Sequence, residues 1–103
     1  MDKRLIARVR RREEDFDRVR LACQDLEAAL DTYEAMQKRV ARLRAYTESG
    51  QWLQDFEADE RGEIPADVKR GVLSEDGLDD LFTGLEQLHE RMRLLSKEKG
   101  RSR

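Results

Sequence analysis

From Leu5 onward the apolar residues recur at alternating steps of four and three: Leu5, Val9, Phe16, Val19, Cys23, Leu26, Leu30 and Tyr33, with Arg12 filling the one gap. That spacing draws a single narrow stripe along a helix, the rhythm of a coiled-coil seam. After Tyr33 the stripe shifts by one residue and continues through Met36, Val40, Leu43 and Tyr46. Neither Pro nor Gly interrupts residues 2–48, and most of them are good helix formers. The pattern predicts one helix over 2–48, about 70 Å long. A bend at Tyr33–Met36, where the phase changes, is the alternative.

Punctuation then becomes dense. Ser49 is a candidate N-cap for a short acidic helix over 50–61, and Gly62 stands at the position that closes it. Trp52, Leu53 and Phe56 share one apolar face of that segment. Pro65 and Gly71 bracket a predicted helical turn over 65–70, Pro at its first position and Gly just past its end. The last helix, predicted over 75–97, has the clearest start. Ser74 is its N-cap, Glu75 and Asp76 sit where the helix dipole favours negative charge, and Leu73 and Leu78 have the spacing of a hydrophobic staple. Its stripe runs Leu78, Leu81, Leu85, Leu88, Met92, Leu95, and the basic residues 98–103 are expected to fray. No segment alternates as a strand does. The fold class is therefore all-α: a single domain in which a long helix and an antiparallel C-terminal helix form a hairpin, with the acidic helix inserted at its tip.

A last helix of about 24 residues folding back would cover only the nearer half of the first, leaving Leu5, Val9, Phe16 and Val19 overhanging. A stripe of that length in water calls for a second chain, so the expectation is a homodimer, its two overhangs buried by a two-fold antiparallel arrangement.

Charge alters the picture locally rather than overall. Among 103 residues, 43% are charged, yet the net charge is only −2. Residues 1–20 carry net +3, residues 46–80 net −8 and residues 81–103 net +3. No stretch approaches 18 consecutive apolar residues, so no membrane span is expected, and the charged N-terminal segment does not read as a secretory signal. Cys23 is the only cysteine and closes no internal bridge. A cytoplasmic, reduced protein is expected.

Two blocks, Ser49-Gly50-Gln51-Trp52-Leu53-Gln54-Asp55-Phe56-Glu57-Ala58-Asp59-Glu60 and Lys69-Arg70-Gly71-Val72-Leu73-Ser74-Glu75-Asp76, resemble a small bacterial family classed as a domain of unknown function. The resemblance runs from about residue 5 to 95. It implies a bacterial or phage origin and a helical fold, and it brings no catalytic residue with it.

Candidate chemistry is sparse. Asp55 and Asp59, one helical turn apart with Glu60 beside them, form an acidic face that suits a basic protein partner better than a metal, because no EF-hand spacing is present. Trp52 and Phe56 are expected to dock in a notch formed by Gly77 and Gly84, holding that acidic face outward. The run Arg8, Arg10, Arg11, Arg12 suggests phosphate contacts, but the i,i+4 pairs Arg10–Glu14, Arg11–Asp15 and Glu14–Arg18 would neutralise it. Lys69-Arg70-Gly71 lacks the spacing of a phosphate loop and is better read as pairing with the acidic segment, joining the two blocks into one unit. Cys23 and His89 sit among packing positions and lack the orienting group that nucleophilic catalysis needs. No enzyme, cofactor or metal is expected. The reading is a non-enzymatic protein-interaction module; the alternative is a nucleic-acid-associated protein using the basic N- and C-terminal ends.

Overall fold

The computed structural model describes residues 2–101, and side chains over 2–98. It is all-α, with no strand among the described residues: α1 (Lys3–Ala35), α2 (Gln37–Glu48), α3 (Gln51–Glu60), a 3₁₀ turn (Gly71–Leu73) and α4 (Gly77–Arg101). Two compact units emerge, residues 1–41 and residues 42–103.

The first unit is built on α1. Asp2 caps it, its carboxylate accepting from the amides of Arg4 at 2.9 Å and Leu5 at 3.2 Å. The helix then runs for 33 residues without burying one of them. It stops at Met36, so the uninterrupted helix expected over 2–48 is corrected to two helices. No Pro or Gly is responsible. The Met36 amide is shared between the carbonyls of Thr32 and Tyr33, both at 3.1 Å, while the Gln37 side chain also donates to the Tyr33 carbonyl at 3.1 Å. One turn earlier the Thr32 hydroxyl bonds back to the Ala28 carbonyl, a contact that bends helices. The ladder resumes with Val40 donating to Met36 at 3.0 Å. The break falls where the apolar stripe changes phase.

The second unit joins the end of α2, the short α3 and the 3₁₀ turn to the 25-residue α4. Ser49 joins two helices: its hydroxyl donates to the Tyr46 carbonyl and accepts from the Gln51 amide. The N-cap of α3 is nevertheless Gly50, not Ser49, because the chain reverses there in the left-handed region at φ +83°. At the other end Gly62, at φ +78°, closes α3 with two bonds, its own amide to Asp59 at 2.9 Å and that of Glu63 to Ala58 at 3.0 Å. That pair is the Schellman pattern.

The helical turn expected over 65–70 lies later in the chain. Residues 65–68 form a non-helical turn closed by Val68 donating to Pro65, and the 3₁₀ turn begins at Gly71 instead of ending before it. The Arg70 side chain is anchored to α3, which forces the reversal to follow it. The last helix begins at Gly77, two residues past the start expected at 75, with Asp80 donating to the Asp76 carbonyl at 2.9 Å. The Ser74 hydroxyl caps its first residue, accepting from the Gly77 amide at 3.1 Å and donating to the Gly71 carbonyl at 2.9 Å. Leu73 and Leu78, flanking that cap, are the two buried apolar residues. Both α3 and α4 pack on the 3₁₀ turn, which is thus the keystone of the unit. Helix α4 is described through Arg101, its side chains through Glu98; Ser102 and Arg103, the end of the tail expected to fray, lie outside the described residues.

Candidate functional site

Two surfaces stand out, one in each unit. In the second, the sequence blocks around Trp52 and Arg70 are tied together by side-chain bonds to backbone and to charge. The Trp52 ring is half-buried and stacks on Phe56, centroids 5.1 Å apart and planes 17° off parallel. Its indole Nε1 donates to the Val72 carbonyl at 2.9 Å. Arg70 donates to Asp59 at 2.7 Å and to the Ile64 carbonyl at 3.3 Å. The two blocks therefore form one structural unit, as the sequence suggested.

The expected notch does not exist. A side-chain carbon at Gly84 would meet open space, so no aromatic ring rests there. Gly77 is crowded, but by Ser74 and the Gly71 carbonyl. Glycine at 77 serves the helix cap, and the aromatic pair lies against the 3₁₀ turn instead.

The acidic face is also rearranged. Asp55 and Asp59 are half-buried, and only Glu60 of the three is exposed. Asp59 is taken up by Arg70. Asp55 accepts from the Tyr46 hydroxyl at 2.6 Å and from the Gln51 side-chain Nε2 at 2.9 Å. Those two donors hold the Asp55 carboxyl below its ordinary range, the Tyr46 bond being the larger influence. Reciprocally, burial and then the Asp55 carboxylate push the Tyr46 phenol up to about 12. Sequence reasoning missed this pair. Tyr46 reads as the end of a stripe, and only the Ser49–Gly50 reversal swings it over α3. Also missed was Arg44, whose guanidinium lies 4.4 Å from the centroid of the Phe82 ring.

The surface of the first unit is apolar. Leu5, Val9, Phe16 and Val19 are exposed, at 61% and 62% for Phe16 and Val19. Leu26 and Leu30 are exposed as well, and Cys23, between Val19 and Leu26 in the stripe, lies in the open. The arginine run is paired differently from expectation. Arg12–Asp15 and Arg20–Asp17, both at 3.4 Å and three residues apart, form in place of the i,i+4 pairs. Exposed pairs of this kind are nearly degenerate in energy, so either spacing can win. Arg20 also lies over Phe16, 5.7 Å from the ring centroid.

Among the described residues, no three His, Cys, Asp or Glu side chains converge as a metal site would require, and no helix is long and apolar enough to cross a membrane. What fold and surfaces define is a charge-rich, all-helical chain that pairs a self-capped module with a long helix bearing an open apolar stripe. The chain belongs to the family described as a domain of unknown function (DUF4298), whose model matches residues 9–95. Comparison with curated proteins found no match, and comparison with solved structures found none.

Proposed function

We propose that this chain is a non-enzymatic protein-interaction module that works as a homodimer held through α1. One observation carries the reading: an apolar stripe at seam spacing is exposed along the whole of α1, from Leu5 to Leu30. An isolated helix in water owes little to propensity alone and is held by burial of such a stripe. A second copy supplies that burial. The groups whose titration is displaced in the second unit fall into two self-satisfied pairs, Tyr46 with Asp55 and Arg93 with Glu90, which supports a structural role for them over a catalytic one. Light scattering at tens of micromolar tests the reading: the wild type should have twice the chain mass and Phe16→Asp the chain mass. A wild type that is monomeric at that concentration overturns it.

A second surface suits a basic protein partner. With Asp55 and Asp59 engaged inside the unit, the exposed acids of α3 are Glu57 and Glu60. Reversing those two to Lys should abolish capture of a basic partner while leaving the Tyr46 and Arg70 bonds intact. Capture that survives the reversal reduces this surface to solvation.

A further inference from the structure

The charges on α1 are sorted in an unusual way. Residues 3–20 hold eight basic and four acidic side chains, and residues 21–35 hold four acidic and no basic ones. The helix thus carries net +4 on its N-terminal half and net −4 on its C-terminal half. This runs against its own macrodipole, which favours acids at the N-terminus and bases at the C-terminus. No acidic residue lies in the first turn of α1 and no basic residue in the last. As a lone helix α1 is arranged against itself.

Building on α1 as the self-association surface, we propose that it pairs with α1 of a second copy in antiparallel orientation, with Leu5 level with Leu30 and Phe16 level with Val19. Antiparallel pairing lays each basic half along the acidic half of the other copy and opposes the two macrodipoles. Both effects turn the unfavourable sorting of the lone helix into attraction. At this register Arg4 is level with Asp31, Arg8 with Glu27 and Arg10 with Asp25. Glu13 and Arg20 occupy equivalent flanking positions, so each meets the other across one edge of the central layers.

Arg12, the gap in the stripe, selects the same orientation. Parallel helices in register would set Arg12 against Arg12 inside the seam, with +4 facing +4 and −4 facing −4. In the antiparallel register Arg12 comes opposite Cys23 and its acidic neighbour Asp25. A shift of one heptad in either direction drops Leu5 or Leu30 out of the apolar layers. The isologous contact that results closes on itself, as a two-fold dimer must.

Cross-linking distinguishes the orientations in the full chain. In the antiparallel register the two Cys23 residues stand about 16 Å apart along the axis, eleven residues at the helical rise, well beyond the ~7 Å a disulfide tolerates. Oxidation of the wild type should therefore give no covalent dimer. In a Cys23→Ser background, Leu5→Cys alone and Leu30→Cys alone should stay uncross-linked, and an equimolar mixture of the two should form a covalent heterodimer on oxidation. If the wild type is dimeric by light scattering yet cross-links through Cys23, or each single-cysteine chain cross-links with itself, the pairing is parallel. The orientation then fails while self-association stands. A dimeric chain whose mixture gives no cross-link overturns the register. A monomeric wild type overturns the reading of α1 itself, and this inference with it.

Discussion

The two units solve the same problem in opposite ways. Both are rich in charge and poor in apolar volume, yet α1 runs for 33 residues with none buried, whereas residues 42–76 are cut into short elements by turns and caps before the 25-residue α4 begins. The difference lies in punctuation. Gly50, Gly62, Pro65, Gly71 and Gly77 let the chain reverse often enough for α3 and α4 to meet on one turn. Polar side chains then substitute for a large core. Trp52 holds Val72, Arg70 holds Asp59, Tyr46 holds Asp55, and two leucines suffice as the buried centre. Helix α1 has no reversals, so what it can bury must come from elsewhere. The second unit thus obtains stability by local closure, and α1 is where the proposed partner copy would supply it.

The largest expected break in this contrast is Leu73→Ala or Leu78→Ala. Each should cost about 2–4 kcal/mol of the second unit's stability, since no other buried apolar residues replace them. Urea titration followed by Trp52 fluorescence, the only tryptophan, measures it. Trp52→Ala should cost about 2–3 kcal/mol by circular dichroism, below the 3–5 typical of a fully buried ring, because the ring is half-buried.

The two helix glycines of α4 sharpen the comparison further, because they should respond with opposite signs. Gly84→Ala fills open space and should stabilise by about 0.5–1 kcal/mol. Gly77→Ala should destabilise by about 1 kcal/mol despite better helix propensity, since its methyl displaces the Ser74 hydroxyl from the cap. Thermal melts of both variants decide it.

Titration gives a smaller effect with a definite sign. A lowered carboxyl contributes stability that is present above its unfolded value and lost as pH falls through the folded one. Asp55 should thus weaken the second unit as pH drops below 3.8, its ordinary value. A raised phenol contributes stability that is present below its unfolded value and lost as pH rises through the folded one. Tyr46 should weaken the unit between pH 10.0 and about 12. Tyr46→Phe should remove the alkaline slope in urea midpoints. The smallest effect is a dependence on concentration. Helicity at 222 nm should melt at a temperature that rises with protein concentration, through α1, while the Trp52 signal rises less.

Legibility in the sequence followed the same divide. Caps are local chemistry, so Ser74, the Leu73–Leu78 pair and Gly62 could be read directly, and so could the opposite charges of Arg70 and the acidic block. The break at Met36 could not, because it arises from competition for one carbonyl and not from a helix-breaking residue. Gly77 was misread for a related reason. A missing side chain shows that space is short without showing what occupies it, and here the occupant is the neighbouring serine. The Tyr46–Asp55 pair was invisible because nine residues and a left-handed glycine separate its members.

The stop at Met36 also sets a ceiling on assembly. A seam grows tighter with each heptad that continues in phase, and here phase is lost after Tyr33, so no zipper built on α1 can lengthen into α2. Copies joined over so few layers should trade places readily, mixing labelled and unlabelled chains within minutes, and the population of paired molecules should track the amount of protein the cell makes. On the pairing proposed above, the bifurcated amide at Met36 would act as a dosage dial, keeping association reversible where a continuous helix would make it permanent.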